Sequence, residues 1–195
     1  MSEPAAGGRL AAQPCDGDGA RAPASNLQPR TTLIRLLVAT WPEALPLLGF
    51  APHVTGMGRR AYDLTGCEAV LSAGFAGACQ PDLRPGDVLL AGAAPAALRH
   101  RLGALTGEIR TLDHIASPSE KSALGRQGVA AVDMETAWLA AAASVPFLSV
   151  RVIIDGLEDP AVSLATAGHY LVASCALRAA VAEAREFLSL RGGRG

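Results

Sequence analysis

The sequence predicts an α/β protein, a three-layer α/β/α sandwich built around a mostly parallel central sheet. Short continuous runs of Val, Ile, Leu and Ala read as strands buried on both faces. Ala-rich segments of helical length alternate with these runs along the chain. Two carboxylates, Glu135 and Asp155, stand at the ends of adjacent expected elements in the apolar stretch AAVDMETAWLAAAASVPFLSVRVIID, positions 130–155. Ionisable groups in such surroundings rarely lack a hydrogen-bonding or chemical task. Ligands of α/β proteins bind outside the carboxyl ends of parallel strands, so both acids are placed at the mouth of a cleft.

Taken in order, residues 1–30 are rich in Ala, Gly, Pro, Asp and Arg without periodicity and are expected to form a disordered N-terminal segment. One domain is expected over 31–192. The run TTLIRLLVA at 31–39 predicts the first strand, and Pro42 suits the first turn of a following helix. After Thr55-Gly56-Met57-Gly58 a short helix is expected to begin at Arg59 or Arg60. The strand EAVLS at 68–72 runs into Ala73-Gly74-Phe75-Ala76-Gly77-Ala78, whose glycines mark a close backbone approach. Pro85-Gly86 predicts a turn before a strand at 88–91. There follow a helix at 94–105, a strand at 108–112, and a helix at 119–126 capped by Ser117 or Ser119. A strand at 129–132, a helix at 134–144, a strand at 147–154 and a closing helix at 163–190 complete the pattern.

At 195 residues, half of them hydrophobic, the chain is long enough to bury a core without disulfides or metals. A formal charge of −1 with scattered arginines offers no general attraction to nucleic acid or an anionic membrane. The four cysteines show no CxxC or Cys/His ligand spacing, so reduced thiols in the cytoplasm are expected, with no metal and no cofactor. The N-terminus has no apolar h-region, and no run approaches the roughly 18 apolar residues of a membrane span.

Three constellations are candidates for chemistry. Gly56-Met57-Gly58-Arg59-Arg60-Ala61 matches the GxGxxA form of the dinucleotide fingerprint, for which an ordinary Gly-rich turn is the alternative. Ser72-Ala73-Gly74-Phe75-Ala76-Gly77-Ala78 would turn backbone N–H groups into the cleft, or else mark a tight strand-to-helix crossing. Cys79, without a nearby histidine, lacks an activating base and reads as a buried residue. Glu135 and Asp155 form the third constellation. Asp133 competes with Glu135 for the helix N-cap, and Arg151 is expected to pair with one of these acids.

The segments SAGFAG (72–77), LRPGDV (83–88), VDMETA (132–137), VPFL (145–148) and RVIID (151–155), in this order, resemble the nucleoside phosphorylase superfamily. More narrowly they are similar to the methylthioadenosine/S-adenosylhomocysteine nucleosidases and to the hopanoid-associated phosphorylases. The resemblance implies a nucleoside phosphorylase-like fold and cleavage of the N-glycosidic bond of an adenine nucleoside. It implies that Glu135 accepts hydrogen bonds from the ribose hydroxyls, with Met134 packed on the sugar, and that Asp155 protonates purine N7. Phe75, Ala76 and Gly77 would line the substrate site, and His114 and Ile115 would contact the base. The family's water-activating glutamate falls at Glu43, one place from the family register, and Arg59 and Arg60 are the candidate phosphate ligands. The family also implies a small-molecule purine nucleoside as the partner and a homodimer as the assembly. A short segment at 92–107 trims the expected wall of the 5′ pocket. The alternatives it leaves open are a phosphorolytic relative acting on a bulky 5′-substituted adenosine such as adenosylhopane, or a degenerate, non-catalytic nucleoside-binding homologue.

Overall fold

A computed structural model describes residues 33–60, 62–92, 94–159 and 164–192. The expected disordered segment 1–30 and the first residues of the 31–39 and 163–190 elements lie outside the described residues. Seven strands form one sheet: β1 (Ile34–Val38), β2 (His53–Val54), β3 (Ala69–Ala78), β4 (Val88–Gly92), β5 (Glu108–Thr111), β6 (Val129–Asp133) and β7 (Phe147–Asp155). The helices are α1 (Trp41–Ala44), continued by a 3₁₀ helix at Leu45–Phe50, then α2 (Ala96–Leu102), α3 (Pro118–Arg126), α4 (Thr136–Ala142) and α5 (Leu164–Gly192).

β3 is the axis of the sheet. It runs parallel to β1 on one side and to β7 on the other, and its last residues Gly77 and Ala78 pair antiparallel with β6. β1 with β2 and β5 with β6 are also parallel, while β4 closes antiparallel on β7. The sheet is therefore mostly parallel, as the apolar runs predict. Alternation along the strands separates two faces. Leu36, Val38, Leu71, Ala73, Leu148, Val150 and Val152 pack with Ala173, Leu177, Ala180, Val181 and Ala184 of α5. On the opposite face Leu37, Val70 and Phe147 pack with Leu139 of α4.

Three expectations are corrected. No helix begins at Arg59 or Arg60: residues 55–60 form an irregular turn in which Gly56 and Gly58 have φ of 84° and 75°. Positive φ suits a turn and breaks a helical start. β3 does not end at Ser72 but continues through both glycines to Ala78, because β7 and then β6 supply partners along its whole length. The helix expected at 134–144 is only Thr136–Ala142, since Met134 and Glu135 leave β6 in a non-helical approach with Glu135 at the N-cap position. Ser117, rather than Ser119, caps α3 by accepting from Glu120 N.

Along β3 and β7 the pairing shifts between Ala76 and Gly77: Ala76 stands opposite Ile153, but Gly77 stands opposite Asp155. Ile154 is thus the extra residue of a bulge on β7. The bulge brings Asp155 over Gly77.

Candidate active site

The carboxyl end of β3 and β7 opens into a pocket whose lining includes Thr40, Glu43, Met57, Phe75, Ala76, Gly77, His114, Ile115, Met134, Glu135 and Asp155. Three acids far apart in sequence, Glu43, Glu135 and Asp155, are each buried and each reach this cavity.

Glu43 stands in the first turn of α1, a position set by Pro42 and by the exit of β1. Its Oε2 accepts from Ala39 N at 3.1 Å, Thr40 N at 2.8 Å and Thr40 Oγ1 at 3.0 Å, and its Oε1 accepts from Phe75 N at 2.8 Å. A carboxylate offers about four lone-pair sites, two on each oxygen. Oε1, with one donor, keeps a site for a further one. Phe75, half-buried, meets Tyr170 of α5 edge-on at 5.8 Å, and Tyr170 Oη donates to Pro42 O, so α5 braces this wall.

The two glycines of SAGFAGA each make room for an acid. A Cβ on Gly74 would overlap Glu43 Oε1, and a Cβ on Gly77 would stand 3.1 and 3.3 Å from the two oxygens of Asp155. The close approach predicted for this segment is real, and what approaches is carboxylate. Neither Gly74 nor Gly77 has a positive φ, so the requirement is space and not backbone conformation.

Behind Glu135 lies a buried polar network. Arg151 Nε donates to Asp133 Oδ2 at 2.6 Å and its Nη2 to Ser72 Oγ at 3.0 Å. Thr111 Oγ1 donates to Asp133 Oδ1 at 2.6 Å, while Thr136 N and Thr136 Oγ1 both donate to Oδ2. Asp133 is therefore the acid that caps α4 and pairs with Arg151, leaving Glu135 free to face the pocket. Burial would raise the Asp133 carboxyl, but Arg151 and the two threonines outweigh it and hold it below the usual carboxylate range. Glu135 fares differently. Burial pushes it up to about 7, Arg151 pulls it down, and Glu43 and Asp133 raise it further. Its Oε1 accepts from Gly58 N at 3.3 Å. The Gly56-x-Gly58 turn thus presents a backbone N–H to a carboxylate, and with no helix behind it the dinucleotide fingerprint has no N-terminus on which to seat a pyrophosphate.

Asp155 closes β7, 3% exposed. Lys121 Nζ from α3 stands 2.5 Å from its Oδ2. Burial raises the Asp155 carboxyl and the Lys121 ammonium partly restores it, leaving it above the ordinary range. His114 lies at the rim, half exposed, with Nδ1 2.8 Å from Asp113 and Nε2 3.0 Å from Glu120. Those two hydrogen bonds raise its pKa and favour the imidazolium. Cys79 is buried and its thiol is pushed up to about 11, which suits the inert reading.

The structure therefore gathers Glu43, Phe75, Ala76, Gly77, His114, Ile115, Met134, Glu135 and Asp155 around one cavity. It does not bring Arg59 and Arg60 there: the Arg59 guanidinium lies over the Trp138 ring at 5.5 Å, and Arg60 Nε donates to Met57 O. Sequence reasoning missed Gly58 and Lys121. A signal for the second was available: of the 17 Lys and Arg residues, one is lysine, and it is that one which is buried.

No family model and no curated protein matches the sequence. Solved structures do match the fold. The chain aligns with the futalosine hydrolase of Helicobacter pylori at a TM-score of 0.60 and 17% identity, covering 78% of this chain and 97% of that one. It aligns with the 5′-methylthioadenosine/S-adenosylhomocysteine nucleosidase of Helicobacter pylori at 0.62 and 19%, covering 79% and 99%. With the corresponding nucleosidase of Colwellia psychrerythraea, solved in complex with adenine, the values are 0.65 and 18%, covering 80% and 96%. The chain has the fold of these nucleosidases, which is the fold its motif order implies.

Proposed function

We propose that this protein hydrolyses the N-glycosidic bond of an adenine nucleoside of the methylthioadenosine or S-adenosylhomocysteine type, releasing adenine. The observation that carries the reading is the convergence of Glu43, Glu135 and Asp155 on one pocket, with an open acceptor site on Glu43 Oε1. Glu135 accepts from the ribose hydroxyls, and Met134 packs against the sugar. Glu43 orients a water through the free site on Oε1 and takes its proton as the oxygen bonds to C1′. Asp155 delivers a proton to purine N7 as the C1′–N9 bond breaks and its electron pair passes to the base. An acid raised by burial suits that role, because it holds its proton closer to neutrality. His114 and Ile115 frame the purine.

Water is favoured over phosphate because the lining offers no phosphate-binding cation. The lining contains Glu43, Asp133, Glu135 and Asp155 but, among the described residues, no lysine or arginine. Arg59 and Arg60 are held elsewhere, over Trp138 and on Met57 O, so a phosphate dianion would find no arginine or lysine of the lining to pair with. The experiment is incubation with methylthioadenosine, S-adenosylhomocysteine and adenosine, with and without phosphate, following adenine release. Release at equal rates with and without phosphate is expected. Release that requires phosphate, or none from any of the three, overturns the reading.

A further inference from the structure

Lys121 is 1% exposed, yet no step of the reaction above uses it. Its ammonium donates to Asp155 Oδ2 at 2.5 Å, Gly156 O at 2.5 Å and Asp159 O at 2.8 Å. Three acceptors surround a group with three hydrogens when protonated and two when neutral, so the arrangement is satisfied only by the ammonium. Burying an ammonium is unfavourable unless it is paired and fully hydrogen-bonded, and Asp155 is the carboxylate bonded to it. The turn that follows β7 is tied into the same knot, since Gly156 N donates to Asp159 Oδ2 at 3.0 Å. The lysine stem passes beside Gly77, its Cδ 3.4 Å from where a Cβ would be, so the glycine that admits Asp155 also admits its partner. The preceding residue, Glu120, reaches His114 Nε2 at 3.0 Å. Two consecutive residues of α3 thus hold the two ionisable side chains at the base end of the pocket.

We propose that Lys121 is a positioning residue for this reaction: it fixes Asp155 Oδ2 and the 156–159 turn, leaves Oδ1 as the oxygen presented to the purine, and stabilises the carboxylate that remains once the proton has passed to N7. In that step the Asp155 O–H bond breaks, the N7–H bond forms, and the negative charge left on Asp155 faces the ammonium. The proton that Glu43 takes from water returns to Asp155 through solvent after the products leave, so the cycle closes. A compact point charge with three divergent donors fits three converging acceptors, which the planar fork of arginine does not. That accounts for a lone lysine in a chain that otherwise uses arginine. Asp159 of the turn raises Asp155, and Cys79 beyond β3 feels both members of the pair together with Arg110 of β5 and Glu120 of α3.

The inference rests on the glycosidic reading, so its test has one arm that needs no turnover. The Asp155 carboxyl carbon is followed by ¹³C NMR against pH in the unliganded wild-type protein and in Lys121→Met. Without the ammonium the carboxylate is less favoured, and the midpoint is expected about one pH unit higher. Lys121→Arg keeps the charge but not the three-way fit, so its midpoint is expected between those of wild type and Lys121→Met. Where the methionine variant does not fold, Lys121→Gln, uncharged and polar, replaces it. In the turnover arm, Lys121→Met lowers kcat about tenfold with KM within about threefold, and its basic limb moves to higher pH by the same amount as the midpoint. Identical midpoints in wild type and the uncharged variant overturn the proposal. A shifted midpoint in a protein that releases no adenine would sink the glycosidic reading while leaving the pairing of Lys121 with Asp155 intact.

Discussion

At the Gly74 end of the pocket, three carboxylates, Glu43, Asp133 and Glu135, lie in the field of the single guanidinium of Arg151. At the Gly77 end, one carboxylate, Asp155, meets the ammonium of Lys121. Both ends are buried, so burial alone does not set the behaviour of their acids. Asp133 takes Arg151 by direct contact and is held low, which leaves Glu135 with a raised carboxyl and a lone backbone N–H. Asp155 shares its field with one close cation, whose pull opposes burial. An acid's task thus follows from which cation it contacts and how many neighbours compete for that cation.

The comparison is most sharply divided by Asp155→Asn. On the proposed reaction it removes the group that would protonate the base and leaves the Gly74 end intact, so adenine release should fall about a thousandfold or more while nucleoside affinity stays within about tenfold. Turnover within about threefold of wild type would end the assignment of Asp155 as the acid.

The Gly74 end responds in stability. A carboxyl at about 7 in the folded protein against 4.5 for the free group binds its proton more tightly when folded. Its contribution to stability is fully present below about 4.5 and is lost as pH rises through 7, a difference of about 3 kcal/mol for a change of about 2.5 units. Glu135→Gln, which keeps an acceptor for Gly58 N, should therefore unfold at higher denaturant than wild type at pH 8, with the gap closing by pH 4. The same variant should bind nucleoside less tightly. A gap that does not change with pH would show that Glu135 is not the proton-hungry member of the cluster.

The two glycine seats give a graded test. Gly74→Ala drives a methyl into Glu43 Oε1, an oxygen already bound to Phe75 N, and displacing that carboxylate by the order of an ångström should cost roughly a hundredfold in kcat/KM. Gly77→Ala meets Asp155 at 3.1 Å, a contact that a small tilt relieves, and about a tenfold loss is expected, read mainly in the basic limb of the pH profile. If the order of the two losses is reversed, the Gly74 seat is not what holds Glu43 in place.

The sequence conveys the fold well because strands buried on both faces are written as predominantly apolar runs, as in LIRLLV and FLSVRVII. It conveys Glu135 and Asp155 for the same reason, as charges that interrupt such runs. It misplaces the turn at 56–60, where two glycines are equally good helix entries and left-handed turn residues until φ is known. It shortens β3 because small residues have no strand preference of their own, and the partners that extend the strand, β7 and β6, lie far along the chain. Lys121 escapes notice because the contact that explains it spans 34 positions and leaves no periodic trace. Glu43 sits off the family register in the sequence and inside the pocket in space, since Pro42 sets the turn of α1 that aims it.

The single-residue bulge at Ile154 turns β3 and β7 into a fixed gauge. Gly74 and Gly77 are three residues apart, an interval that on a regular strand would face them to opposite sides. With the extra residue on the neighbouring strand, the two acids seated over them, Glu43 and Asp155, address one cavity across a spacing of about 10 Å measured along β3. Because both seats belong to one continuous strand in the middle of the sheet, that interval does not stretch. Under the proposed reaction, a ligand would be measured between its attacked carbon and its leaving base by a ruler of backbone, and variation among substrates would be confined to whatever projects beyond the ends of the ruler.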